Sequence, residues 1–418
     1  MEKVLKTTFK TVLVGIMLGF IFSGALLIWK QSALKINISK FIPDSQSITP
    51  VSPLSTKHQT IQGQPPLTEK DSVLSALNQK QMESVIGFLP HWKLGQIKIP
   101  FDRLSSVAFF GIPINKYGKI AKLDADGNEN PGWTKFKSKE FDNLVANAHQ
   151  NKTKIILVLE IMNNNDIIAV LNNPLARQNT RESILALVKQ KNLDGVNIDV
   201  EYQGIPDTTI INNFSLFIQE FRNFISHSQI NISLSLDVHA DSVVKTRLFE
   251  LAKIHPYLDQ IIIMGYDFFR PNSTNSGPIA PLNGKEKFEY DITTTINDFV
   301  KIVPAQKLIL GIPFYGYEWE TETAQPFSKT IPNSGALATY GRIQKLISEE
   351  HLTPKQDELS QSPYLIFKKD GIIHQIFYED VSSLTKKIGL VKNSGLSGIA
   401  IWAVGYEGDY PEIWEAIK

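Results

Sequence analysis

Short apolar runs alternate with longer amphipathic stretches from residue 84 to the end of the 418-residue chain. That alternation is expected of repeated strand-helix units around a parallel sheet. Eight runs stand out: SVIGFL (84–89), LSSVAFFGI (104–112), KIILVLEI (154–161), DGVNIDVE (194–201), ISLSLDV (232–238), LDQIIIMGY (258–266), KLILGIPF (307–314) and GLSGIAIWAV (395–404). Between them, stretches such as RESILALVKQKN (181–192) and NNFSLFIQEFRNFI (212–225) space apolar residues three and four apart, as the buried face of a helix requires. Eight strands interleaved with helices predict an α/β fold, a closed (β/α)8 TIM barrel. An open doubly wound sheet is the competing arrangement, but no glycine-rich nucleotide loop follows the first run.

One gap breaks the repeat. Residues 317–380 hold a helical pattern around 338–350 and the segment YLIFKKDGIIHQIFY, in which Asp370-Gly371 suits a tight hairpin turn. The expectation is a small α+β insertion between strands 7 and 8, beside the mouth of the barrel.

The pattern before residue 81 is different. Residues 11–29, TVLVGIMLGFIFSGALLIW, are an uncharged apolar run of 19, preceded by Lys3, Lys6 and Lys10 and closed by Trp29 and Lys30. That length suits a membrane span, and no polar face marks it as a core helix. Ser23 and Ala25 have the small-residue spacing of a signal-peptidase site, yet the apolar run continues past them, which favours an uncleaved anchor. Residues 31–80 turn to Ser, Thr, Gln, Pro and Lys, the composition of a flexible tether. The chain therefore reads as an anchor or signal segment (1–30), a linker (31–80) and a barrel domain (81–418), with the barrel outside the cell membrane.

Lys+Arg number 43 against 42 Asp+Glu, a balance that argues against nucleic acid as a partner. With no cysteine the chain has no disulfide, thiolate nucleophile or zinc-thiolate site. His239 and Asp241 form an isolated HxD without the further histidines of a metal set, so neither metal nor cofactor is expected, and a loop role suits them better.

The chemistry concentrates in the fourth run. Val196, Ile198 and Val200 alternate with Asn197, Asp199 and Glu201, and because strand side chains alternate faces, the polar three share one face. In an antiparallel sheet that face would simply be solvated, but in a parallel barrel neither face is. Acidic side chains there are costly without a purpose. Two carboxyls two residues apart, repelling each other and desolvated, keep one proton near neutrality. Glu201, with the longer reach at the strand end, suits a proton donor to a leaving oxygen.

DGVNIDVE resembles the DGxDxDxE signature of family-18 glycoside hydrolases, the chitinase-like enzymes, departing from it at Asn197. The resemblance runs over 84–418: VIGFLPHW resembles the family's first strand, MGYDF (264–268) its sixth, LGIPFYGYEW (310–319) its seventh and GLSGIAIWAVGYEG its eighth. It implies substrate-assisted, retaining hydrolysis next to an N-acetylglucosamine, in which the sugar's acetamido oxygen attacks the anomeric carbon. By that resemblance Glu201 is the acid, Asp199 orients the acetamido group, Tyr266 donates to its oxygen and Asn197 belongs to the catalytic strand. Trp402 is the aromatic floor, and Met264, Asp267, Tyr315, Trp92 and Phe88 are further substrate-binding positions, although packing suits Trp92 nearly as well. Asp237 either contacts substrate or pairs with a neighbour, and Met162–Asp166 (MNNND) reads as a polar loop. LEIMNN (159–164) replaces the Ser-x-Gly-Gly frequent in the family's chitinases. Together with Asn197, it resembles the branch of spore-cortex and cell-wall N-acetylglucosaminidases. The implied partner is a polysaccharide, peptidoglycan or chitin, bound by a monomer. A catalytically inactive lectin and an endoglycosidase for protein-linked glycans are the alternatives.

Overall fold

The computed structural model describes residues 82–417. The anchor and linker readings of residues 1–80 lie outside the described residues. Among those described, no helix is long and apolar enough to cross a membrane.

Each of the eight runs forms a strand: β1 (Ser84–Pro90), β2 (Ser106–Pro113), β3 (Lys154–Ile161), β4 (Gly195–Val200), β5 (Ser233–His239), β6 (Gln260–Met264), β7 (Leu308–Pro313) and, after an insertion of five strands, β13 (Gly398–Trp402). All pair in parallel and close into a barrel in the order β1-β2-β3-β4-β5-β6-β7-β13. Alternation along the strands divides the core. One set of side chains, including Ile86, Phe88, Ala108, Ile156, Val158, Ile262, Ile309 and Ala400, fills the barrel interior. The opposite set, such as Val196, Ile198 and Val200, packs outward with the helices.

The helix Thr208–His227 shows how the outer layer is specified. Asp207 caps it by accepting from the Ile210 amide at 2.9 Å, and Phe214, Phe217 and Phe221 form its buried stripe. At the foot of β4, an added Cβ on Gly195 would meet Ser233 Oγ at 2.2 Å, so glycine spares that hydroxyl a shift where the strands approach. Asp194 sits beside it with a structural job: its Oδ2 accepts from the Ile155 amide at 2.8 Å and lies 2.9 Å from His149 Nε2.

Between β7 and β13 the chain builds a second sheet, mainly antiparallel, from β8 (Tyr315–Thr321), β9 (Ala336–Thr339), β10 (Lys355–Gln356), β11 (Pro363–Lys369) and β12 (Ile372–Phe377), with a helix at Tyr340–Glu349. β11 and β12 are the two arms of a hairpin, and Asp370 (φ 51°) and Gly371 (φ 86°) both take the positive φ that a tight turn between twisted strands requires. β8 starts two residues after β7 and ties this sheet to the mouth of the barrel.

Candidate functional site

Asp199 and Glu160 are register partners on β4 and β3, so their side chains enter the barrel on the same level. Asp237 belongs to the same cluster: Asn197 Nδ2 donates to Asp237 Oδ1 at 2.9 Å and to Ser235 Oγ at 3.0 Å. Asn197 is fully buried, and Asp199 and Asp237 nearly so. Glu201, one residue past β4, is held by its amide on the Ile161 carbonyl at 3.2 Å and is partly exposed.

Four carboxyls thus gather at one end of the barrel, and among the described residues none of them is in an ion pair with a lysine or arginine. Burial is the main cause of their altered acidity. It pushes Glu160 up to about 7 and Asp237 up to about 8, against the hydrogen bond from Asn197 and assisted by the charge of Glu201. Asp199 is raised well above the usual carboxylate range by burial and then by Asp237, Glu201 and Glu160. Glu201 is also raised by burial, with Arg270 opposing. Asp199 Oδ1 and Asn197 Oδ1 have no hydrogen-bond partner among the described residues. Such orphaned buried oxygens invite a ligand or a proton.

Tyr266 faces the same carboxyls: burial, then Asp237, Asp199, Asp267 and Glu201, raise its hydroxyl above its ordinary range. It lines a cleft of about 290 Å³ together with His239, Asp241, Met264, Asp267 and Arg270. Asp267, at φ 61°, is fixed by the hydroxyls of Tyr315 and Tyr317, which donate to its Oδ1 at 2.5 and 2.9 Å. Trp402 ends β13 and is braced by Phe110 edge-on, ring centroids 5.0 Å apart, and by Phe88 at 5.8 Å. Trp92 is 41% exposed and meets the other side of this group through Phe110. Neither this cleft nor a larger groove of about 840 Å³, lined by Lys122, Trp133, Leu187 and Lys191 among others, is lined by any of the four carboxyls, but the cleft is lined by Tyr266, which faces them, and the groove is not.

Two expected lining residues sit behind the lining instead. Phe88 is 3% exposed inside the barrel, and Tyr315, also 3%, faces Asp267. Both support neighbours, because their rings are consumed by packing before they reach the surface. The HxD pair lies on the cleft wall: desolvation, with the charge of Arg247, lowers His239 to about 4, and Asp241 holds Arg247 through two hydrogen bonds at 2.9 and 2.6 Å. Asn163, within the MNNND segment, caps a helix, and Asn164 exchanges hydrogen bonds with the backbone of Gln203 just beyond Glu201. Glu160, Tyr317, Phe110 and Arg270 went unrecognised. Glu160 was visible as the third inward position of Ile156-Val158-Glu160, whereas the other three needed tertiary contacts.

Comparison with known proteins gives a consistent result. YdhD of Bacillus subtilis (strain 168), provisionally named a sporulation-specific glycosylase, is 29% identical over 239 residues, covering 56% of this chain and 52% of that protein. The cortical fragment-lytic enzyme of Bacillus anthracis is 25% identical over 290 residues, covering 65% and 61%. The chain thus spans between half and two thirds of the length of these relatives. Among solved structures, the class V chitinase of Nicotiana tobaccum superposes with a TM-score of 0.70 at 20% identity, covering 80% of this chain and 97% of that one, a likeness of fold. The sequence profile described as Glycosyl hydrolases family 18 matches residues 84–407, most of the chain, which belongs to that family.

Proposed function

We propose that the chain is a retaining glycoside hydrolase that cleaves β-1,4 bonds next to N-acetylglucosamine, with peptidoglycan as its polymer. The reading rests above all on Glu201: a partly exposed carboxyl just past the end of β4, raised in pKa mainly by desolvation and close enough to the deeply buried Asp199 for its charge to act on it. A carboxyl that stays protonated toward neutrality can protonate a glycosidic oxygen. Asp199 then orients the substrate's acetamido N–H, Tyr266 donates to the acetamido oxygen, and that oxygen closes on the anomeric carbon as the aglycone leaves. Glu201, now ionised, activates water for the second step. Asn197 acts through Asp237, and Asp267 through its backbone turn. Trp402 and Trp92 offer flat faces to sugar rings.

Peptidoglycan is supported by the names of the two bacillar relatives and by the sequence reading of residues 11–29 as an anchor, which would hold the barrel outside the cell membrane. Turnover of purified peptidoglycan and of chitin oligosaccharides by the chain and by Glu201→Gln tests the proposal. Loss of about 10²-fold or more is expected for the variant, the scale of removing a general acid. Negligible turnover by both proteins on every substrate would instead favour a sugar-binding barrel.

A further inference from the structure

The cleft beside Tyr266 contains an arginine that is in no ion pair among the described residues. Arg270 follows the MGYDF segment in the loop after β6, and its Nε donates to the Asp267 carbonyl at 3.2 Å. The same loop is pinned from the insertion, since Trp319 Nε1 donates to the Arg270 and Pro271 carbonyls, both at 3.2 Å. The terminal guanidinium nitrogens form no hydrogen bond and no ion pair among the described residues. The other nearby cations are occupied: Arg247 and Lys245 both pair with Asp241. Arg270 is exposed and lines the cleft with Tyr266 and Asp267. Its charge acts on Glu201 without reaching salt-bridge range.

A planar fork held by its Nε, with two terminal nitrogens unpartnered among the described residues in the lining of a cleft, is suited to a carboxylate. A neutral polymer of N-acetylglucosamine gives it nothing to bind, and leaving its donors desolvated under such a sugar is a cost. We propose that Arg270 is a specificity residue that binds a carboxylate carried by the sugar chain adjacent to the scissile bond, so that the site selects an anionic N-acetylglucosamine polymer over a neutral one. This rests on the glycoside hydrolase reading for its polymer, although the selection itself is a property of binding. Two sources fit the chemistry: the lactyl carboxylate of a muramic acid stripped of its peptide, and a carboxylate of an attached stem peptide.

The test measures binding by the full chain, and by Arg270→Gln, of short glycan strands with peptides removed, strands with peptides intact, the methyl ester of the stripped strand, and neutral chitin oligosaccharides of equal length. The wild-type chain should prefer a carboxylated ligand over its ester by about tenfold or more, the scale of a charge-assisted hydrogen bond. Arg270→Gln should abolish that preference, and an unchanged thermal unfolding midpoint shows that the variant folds. The stripped and peptide-bearing strands identify which carboxylate is read. Wild-type binding that ignores the ester, or a variant weakened equally on charged and neutral ligands, overturns the proposal. Absence of turnover alongside a retained, Arg270-dependent preference would remove the hydrolase reading and leave this one standing.

Discussion

Replacing Glu160 with glutamine should make the protein more stable at alkaline pH and leave it nearly unchanged at pH 4. The carboxyl enters the barrel beside Asp199, and its acidity is raised from 4.5 to about 7 by desolvation. A group with a higher pKa in the fold than in the unfolded chain binds its proton more tightly in the fold. Stability is therefore fullest below about 4.5, declines as pH rises through the window from 4.5 to about 7, and stays low above it. At about 1.4 kcal/mol per pH unit, the interval corresponds to a penalty of about 3 kcal/mol above pH 7. Glutamine keeps the shape and removes the charge. With an unfolding entropy of about 0.7 kcal/mol/K for a domain of roughly 330 residues, Tm should rise by about 4 °C. Loss of the neighbouring charge also eases Asp199, whose proton affinity Glu160 raises, and so acts in the same direction. Thermal unfolding of both proteins at pH 4 and pH 8.5, followed by circular dichroism, measures the difference. A Tm change equal at the two pH values, or a loss of stability at pH 8.5, would refute the reasoning.

Two further substitutions probe buried charge. Lys387 and Glu379 form a fully buried pair at 2.7 Å, and Lys387→Met should cost about 3–5 kcal/mol in urea unfolding by stranding the carboxylate. Adding Glu379→Leu should recover much of that loss, and an additive double variant would argue against the pair. Asn197→Asp exchanges the donor to Asp237 for a second acceptor at the same 2.9 Å spacing. Repulsion of about 6 kcal/mol at an effective dielectric of 20 forces the two groups to share a proton. The stability deficit of Asn197→Asp should therefore grow between pH 5 and pH 8, and a deficit that does not change with pH would count against the shared proton.

The barrel was legible because a parallel barrel is the sum of local regularities. Runs such as KIILVLEI end within a few residues of the observed strands, since each needs only its own alternation and flanking turns to be recognised. β4 was legible in chemistry too: charged residues inside an apolar alternation have few structural explanations. Glu160 was missed although it obeys the same alternation, because a lone acid at a strand end reads as the start of a loop. Tyr317 and Arg270 were out of reach for another reason. Their significance lies in what β8 brings to the loop after β6, across 48 to 50 residues of sequence separation, and no local pattern encodes that meeting. Tyr315 and Phe88 show the converse error, in which a motif position locates a residue near the site without saying which side of the lining it occupies.

The position held by Asn197 explains why Glu160 belongs in this cluster. In the proposed mechanism positive charge develops above Asp199, and the stabilising response is for Asp199 to be ionised at that moment. An ionised Asp199 requires its proton to rest elsewhere. An amide at 197 holds no proton, and its Nδ2 is committed to Ser235 Oγ and Asp237 Oδ1, which fixes that oxygen of Asp237 as an acceptor. The neighbours able to accept the proton are Glu201 once it has protonated the leaving oxygen, the second oxygen of Asp237, and the carboxyl of Glu160, level with Asp199 on the adjoining strand. Asp237 and Glu160 both titrate near neutrality, at about 8 and about 7, so neither holds nor refuses a proton strongly at physiological pH. In the proposed mechanism, the carboxyl absent below Asp199 has a counterpart level with it on β3. The stability lost to Glu160 above pH 7 and the proton balance at Asp199 are two consequences of the same desolvated group.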